Sequence, residues 1–489
     1  MDTSGTQNIG GYGETASVKE YSKFNWFTKN LFQNEIMRTY RTFIKPISSN
    51  PYIFHINKTK YDWVDLRRTQ LWGYMKIQVE TANGELEDPV DADVWSLVNN
   101  PYHSLWSSIV IKVNGTELEN SSQTHAQWKA WLSVLLNNST SSKNKVSRHN
   151  NAFIKDDVGK GNKCGTTVLD EQVLNPDWDK DDFLTNAAKP RFKPNTEYNS
   201  GFALRRRGFV RGSPIAFNIP VLHDFMTTGK SFPGETEFEI IFTRTSDAFM
   251  FIQDKNVCTK NLKIVLTDLQ LSYDSETVTN QVQNTHNAKS SKTNPRALIK
   301  KNVLRTYVKY NGETDLSKDA IFYTSKNNLP EQLIIFILPS ATFNGSLQTN
   351  PYCWEITDLK LAEIGLRVNG WNDPGNFLNN TTGLGKLQLY YHFLDNIGYI
   401  DSKYTAHDIP VSYEEYYGGL FMIPFDRTAS KHNGYFTTLP DTGTMDIHLK
   451  LENGQTLNGN HTIAIYASYT EEIEINDGAY SFRPLESIT

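Results

Sequence analysis

The chain is short of cysteine, of long apolar runs and of surplus positive charge. Its three cysteines, Cys164, Cys258 and Cys353, are widely spaced in 489 residues. They form no CxxC pair and too few bridges for a disulfide framework, so three reduced thiols are expected. The opening MDTSGTQNIGGYGE lacks a charged stretch followed by an apolar core, so no secretory signal is expected. The Asn-X-Ser/Thr sequons at Asn57, Asn138, Asn380 and Asn460 are then ordinary Asn-rich loop chemistry. The longest strongly apolar run, Leu333–Leu338 (LIIFIL), is far too short to span a bilayer and predicts a buried strand. With 49 Lys and Arg against 54 Asp and Glu, the formal net charge is −5. That argues against nucleic acid as the main partner, because binding many phosphates needs a basic footprint.

Intact catalytic and cofactor motifs are also missing. Gly229-Lys230-Ser231 resembles the end of a phosphate loop, but Asp224 stands where the first glycine belongs. Phe232-Pro233-Gly234 then turns the chain into a strand instead of opening a helix toward phosphates. Gly11-Tyr12-Gly13 has no preceding strand and no βαβ unit around it. Asp177-Trp178-Asp179-Lys180-Asp181 begins like a calcium loop, yet Asp182 replaces the required glycine and Ala188 the closing glutamate. There is no HExxH and no GxSxG. No catalytic, metal or cofactor residue is therefore assigned, and no small-molecule substrate. A pair of carboxylates can still meet in space, so glycoside hydrolysis stays open at this point.

What is present is aromatic and strand-like. The 26 Phe, 24 Tyr and 10 Trp suffice for large cores. Residues 1 to about 18 are rich in Gly, Ser and Thr and predict disorder. Tyr21–Tyr40 places Phe24, Phe27, Leu31, Ile36 and Tyr40 near helical spacing, which predicts an amphipathic arm helix. Its mixed character at Trp26, Phe27, Phe32, Arg38 and Arg41 suits an assembly contact, or packing on its own subunit. From residue 53 onward short near-alternating segments end in Gly, Pro, Asn or Asp, as in a sandwich or barrel. Among them are Tyr52–Ile56, Leu71–Val79, Ile215–Ile219, Glu237–Thr243, Leu262–Leu266 and Leu269–Tyr273. The polar stretch from 276 to 300 predicts a linker, after which strands resume at Val303–Tyr310, Leu333–Leu338, Leu359–Val368, Gly419–Ile423, Met445–Leu451 and Ile463–Tyr469. Arg205-Arg206-Arg207 with Arg211 forms a basic cluster. It suits contact with genome phosphates or an acidic neighbour, or else a solvated loop or local ion pairs.

The two halves repeat. Asn100-Pro101-Tyr102 leads to Val113-Asn114-Gly115, and Asn350-Pro351-Tyr352 leads to Val368-Asn369-Gly370. The prolines are 250 apart (351 − 101) and the glycines 255 (370 − 115). Each half then carries a helix-capable segment: Trp128, Trp131, Leu132, Leu135 and Leu136 in one, Leu387, Tyr390, Tyr391 and Leu394 in the other. A Pro-Gly turn and an alternating strand follow in both. The later offset is smaller, 209 (443 − 234), so the first half carries extra residues, placed at about 138–213. The repeat predicts two copies of one all-β unit.

These residues resemble a family. Ile47-Ser48-Ser49, Tyr52-Ile53-Phe54 and Tyr61-Asp62-Trp63-Val64-Asp65-Leu66 through Thr69-Gln70-Leu71 are similar to the first jelly roll of major capsid proteins from Polinton/Maverick elements and adintoviruses. Leu105–Gly115 resembles that family's hairpin, Trp128–Leu136 its helix and Phe238–Arg244 its closing strand. Phe343-Asn344-Gly345, Asn350-Pro351, Glu414-Glu415-Tyr416 and Pro424-Phe425-Asp426 continue the likeness, which spans about 40–482. The arm and the 138–213 segment are longer than in that pattern. The resemblance implies two tandem antiparallel eight-stranded jelly-roll sandwiches with short helices in the loops. It implies an arm over 1–52, a first jelly roll over 53–275, the linker over 276–300 and a second jelly roll over 301–489. It further implies a non-enzymatic shell subunit: homotrimers of pseudo-hexagonal outline tiling an icosahedral virion capsid assembled inside the host cell. Its partners would be copies of itself, penton or minor capsid proteins and, weakly, packaged double-stranded DNA. A carbohydrate-binding or carbohydrate-cleaving double sandwich is the competing expectation, since fold does not fix function.

Overall fold

The computed structural model describes residues 35–59, 62–90, 95–117, 123–137, 153–157, 172–174, 192–194, 199–207, 209, 212–227, 229–253, 260–290, 292, 294–318, 328–354, 359–399, 411–428, 442–476 and 479–484. Its main strands in the first half are β1 (Ile36–Ile44), β2 (Tyr52–Ile56), β3 (Asp62–Glu80), β4 (Trp106–Val113), β5 (Ile215–Pro220), β6 (Phe238–Arg244) and β7 (Asn261–Val278). Those of the second half are β8 (Arg296–Lys309), β9 (Gln332–Pro339), β10 (Leu361–Val368), β11 (Trp371–Leu378), β12 (Ile423–Asp426), β13 (Met445–Leu451), β14 (His461–Asn476) and β15 (Ala479–Pro484). Five helices matter below: α1 (Ala126–Asn137), α2 (Ser200–Arg207), α3 (Asn280–Ser290), α4 (Gly383–Asn396) and α5 (Tyr413–Gly419).

Each half is a sandwich of two antiparallel sheets, and the strand orders match. In the first half one sheet runs β1-β7-β3-β5, and in the second its counterpart runs β8-β14-β9-β12. The facing sheets run β2-β6-β4 and β13-β10-β11. In the second half, bridges from Asp315 to Lys450 and from Lys318 to Ile447 stand where β2 pairs with β6. The repeat read from the sequence is thus a repeat of topology.

The two hairpins share one turn conformation. Asn114 and Asn369 sit at φ 52° and 50°, followed by Gly115 and Gly370 at 77° and 85°. Successive positive φ values make a turn whose twist suits a tight hairpin, and Asn-Gly is the pair that adopts it with least strain. The Asn114 amide oxygen accepts from the Glu237 N–H at 3.0 Å, and Asn369 accepts in the same way from Thr444 at 2.9 Å.

Strand chemistry follows burial. Along β3, Leu71, Met75, Ile77 and Val79 face the core and alternate with Trp72, Tyr74, Lys76 and Gln78. The corresponding β9 is apolar at successive positions, Leu333 to Leu338, and all are buried. A strand covered on both faces reads as a continuous apolar run. The second cover is supplied by the first half of the chain.

Three expectations need correction or refinement. Residues 36–40 are not the end of an arm helix but part of strand β1, which pairs with β7 from Ile44↔Leu271 to Ile36↔Val278. Thr39, Tyr40, Thr42, Phe43 and Ile44 fit a half-buried pleated surface better than a helix. The polar stretch 276–300 runs between the two halves, but it holds regular structure. It holds the end of β7, the exposed helix α3 and the start of β8. Nothing on α3 is buried, which is why no periodicity betrayed it. Finally, within Gly419–Ile423 the first residue ends α5, Leu420 makes only an isolated bridge to Trp354, and regular strand begins at Ile423. The two readings at 262–266 and 269–273 join in β7, interrupted where Asp268 adopts φ 50°.

Candidate functional site

The first and second sandwiches meet around α1, and this junction is the best-built polar and aromatic site among the described residues. Trp128 of α1 stacks on Phe343 (ring centroids 5.0 Å, planes 8° apart) and on Phe336 of β9 (5.5 Å, 29°). Trp131, one turn on, stacks on Tyr352 (4.9 Å, 7°). All of these rings are buried. Large aromatics packed in a desolvated patch are what concentrates binding energy at an interface.

Polar groups frame the rings. The Tyr352 hydroxyl lies 2.9 Å from that of Ser104 and 3.1 Å from the Gln127 carbonyl. The Lys129 ammonium donates to the Asn302 carbonyl at 2.7 Å. The Asp224 carboxylate accepts from the backbone and side-chain N–H groups of Asn302, at 2.7 and 2.8 Å. Lys155 pairs with Glu415 at 3.0 Å, and Glu415 closes a capping box with Ser412 at the start of α5. Burial pushes the Lys129 ammonium down to about 8, with the charge of Asp224 opposing that shift. Burial likewise raises the Tyr352 phenol above its ordinary range. Every one of these links joins a first-half residue to a second-half residue, except the capping box. A junction this apolar and this hydrogen-bonded holds the two sandwiches in one relative orientation.

The residues singled out from sequence are dispersed. Trp26, Phe27 and Phe32 lie outside the described residues. Arg38 and Arg41 lie on β1, where Arg41 pairs with Asp274 at 2.8 Å and Arg38 covers the Tyr40 ring. Arg205 and Arg206, on α2, are buried rather than presented to phosphates. The Arg205 guanidinium donates to the Leu97 carbonyl at 2.7 Å and to Asp156 at 2.6 Å. Asp156 also accepts from Asn350 across the junction, at 2.8 Å. Of the alternatives for this cluster, the local ion pair is the one observed at Arg205. Arg211 and the Arg207 side chain lie outside the described residues.

The weak motifs resolve similarly. Ser231 donates to Glu276 at 2.7 Å, and Phe232 bridges to Val64 on β3, so no phosphate loop forms there. The segments at 11–13 and 177–182, and Cys164 and Cys258, lie outside the described residues. Cys353 is half-buried. Asn380 is buried and uses its amide on the Leu359 carbonyl at 2.9 Å, so the folded chain presents no acceptor at that sequon. Among the described residues no three His, Cys, Asp or Glu side chains are grouped to hold a metal, and no helix is long and apolar enough to cross a membrane. Sequence reasoning missed Asp156, Asp224 and Asn302. They are single polar residues whose partners lie far along the chain, and no local pattern marks them.

Comparison with known proteins gives a whole-chain likeness. A chain of the Sputnik virophage structure matches 98% of this chain over 94% of its own length, at 11% identity and a TM-score of 0.56. PBCV-1 VP54, as fitted into a reconstruction of Sputnik, matches 94% of this chain over 100% of its own, at 10% identity and a TM-score of 0.50. The faustovirus major capsid protein matches 92% of each chain, at 8% identity and a TM-score of 0.50. No protein-family model matches the chain, and no curated protein matches it. At such identities the likeness speaks for the fold: the chain is a double jelly roll.

Proposed function

We propose that this chain is a major capsid protein, a non-enzymatic subunit that trimerises and tiles an icosahedral viral shell. The observation that carries the reading is the junction around Trp128. It fixes two topologically equal sandwiches side by side, so three copies present six similar lobes about one axis. A threefold object with that outline fills a nearly hexagonal lattice cell. The whole-chain likeness to a Sputnik virophage chain and to the faustovirus major capsid protein supports the same reading.

Further parts of the reading concern partners and place. The subunit would sit in the virion capsid after assembly inside the host cell, beside penton or minor capsid proteins. Contacts with packaged DNA would be weak, given the net charge of −5 and the burial of Arg205 and Arg206. Residues 1–34, with Trp26, Phe27 and Phe32, would serve as an assembly arm reaching a neighbour.

The test is the mass of the full chain in solution. A species three times 55.8 kDa supports the proposal. A stable monomer that binds glycans overturns it in favour of a carbohydrate-directed double sandwich.

A further inference from the structure

The strand registers match one half to the other: the Val221 N–H closes on the Thr69 carbonyl at the end of one ladder as the Arg427 N–H closes on the Glu331 carbonyl at the end of the other. In the first half Gln70 pairs with Ser272 and Pro220, and Ser272 pairs with Phe43. In the second Gln332 pairs with Ser468 and Asp426, and Ser468 pairs with Asn302. Phe43 therefore occupies the place of Asn302. Four residues beyond Gln70 and Gln332, Tyr74 occupies the place of Phe336. On the helices, α1 follows the first hairpin as α4 follows the second.

Within the chain, Asn302 and Phe336 of the second half cover Lys129 and Trp128 of the first. Among the described residues the equivalent contact is missing in both of its parts. On α4, Leu384, Leu387 and Tyr391 are 67%, 56% and 58% exposed, a stripe at helical spacing. On α1, by contrast, Trp128 and Leu132 are 0% and 1% exposed. On the β1-β7-β3 face, Phe43 and Tyr74 are 52% and 43% exposed, where Phe336 is 0%. A groove of about 580 Å³ beside α4, lined by Phe377, Leu387 and Tyr391 among others, lies open on the same side.

We propose that a second copy of this chain lays its Phe43 and Tyr74 face on the Leu384, Leu387 and Tyr391 stripe of α4, repeating between copies the junction that α1 makes within one. The proposal deepens the shell-subunit reading and rests on it for ring closure; the contact itself follows from the repeat. The interface is heterologous, because the two patches lie on different sandwiches, and such an interface yields a ring only when its rotation closes. Both patches mix aromatic with polar neighbours, as suits surfaces that face water before assembly.

The test uses full-length Tyr74→Cys and Leu387→Cys chains, mixed, allowed to assemble and treated with a short bis-maleimide, with the unmodified chain as baseline for its own three cysteines. The mixture should give a covalent two-chain product that neither variant gives alone. A cross-link from Leu387→Cys alone would mean a self-complementary contact and overturn the proposal. Trimers in sedimentation without the mixed cross-link would overturn this contact and leave the shell-subunit reading standing; monomers alone would overturn both. As a second arm, Leu387→Glu should weaken assembly by roughly tenfold or more while its circular dichroism and melting match the unmodified chain. An unchanged mass at every concentration would count against the contact.

Discussion

The hydroxyls of Ser104 and Tyr352 lie 2.9 Å apart although 248 residues separate them in sequence. Each belongs to one copy of the repeated Asn-Pro-Tyr segment or its following turn. Only one proton can occupy the bond. If Ser104 donates, Tyr352 donates to the Gln127 carbonyl; if Tyr352 donates, Ser104 turns to the Asn99 carbonyl at 3.1 Å. The repeat thus meets itself at the junction, with Tyr352 reaching across while its counterpart Tyr102 stacks on Phe217 inside its own sandwich.

Removing that hydroxyl separates polar from packing contributions. Tyr352→Phe leaves Ser104 its bond to Asn99 and is expected to cost about 1–2 kcal/mol. Tyr352→Ala also removes the stack on Trp131 and leaves a cavity, for about 3–5 kcal/mol. Urea unfolding of the full chain measures both, and equal losses would mean that the ring contributes little.

Arg205 is a structural cation in this account. Its partner Asp156 is as buried as it is, with side-chain exposures of 0% and 3%. Breaking one side of a buried pair leaves an uncompensated charge. Arg205→Met or Asp156→Asn should therefore destabilise the chain by about 3–5 kcal/mol. The salt dependence of DNA binding should not change. A shallower salt slope in Arg205→Met with unaltered stability would restore the phosphate-contact reading.

Stability should also depend on pH in a specified direction. Lys129 titrates at about 8 in the folded chain because it is buried, against about 10.4 in an unfolded one. Between about pH 8 and 10 the unfolded chain holds more protons, so stability rises with pH. Lys301, lowered by burial in the same junction, acts in the same direction. Above pH 10 the sign reverses, because Tyr102 and Tyr480, pushed up by burial to about 12, keep protons the unfolded chain loses. Denaturant midpoints across this range, compared with Lys129→Met, read the effect. The rise should shrink in the variant by up to about 1.4 kcal/mol per pH unit, and an identical profile would remove Lys129 from the explanation.

Much of the architecture was legible because it is local. Asn114-Gly115 and Asn369-Gly370 announce their turns by residue type alone, and α1 and α4 by apolar spacing. The run Leu333–Leu338 announced a buried strand but not what covered it. The misreadings share a cause. Residues 36–40 have helical spacing in isolation, yet β7, more than 200 residues away, offers an open strand edge that decides their conformation. Arg205 sits in a run of charge that looks solvated until Leu97, Ile154 and Asp156 close around it. The junction was the least legible part, because Asp224 and Asn302 carry no pattern and acquire a role only when the halves dock.

The central claim is that two fixed sandwiches per chain build a six-lobed trimer. Electron microscopy of particles formed by the full chain tests it most directly. The account expects class averages with six lobes about a single threefold axis, and flat or closed arrays of such particles at high concentration. Particles of two lobes that never associate would contradict it.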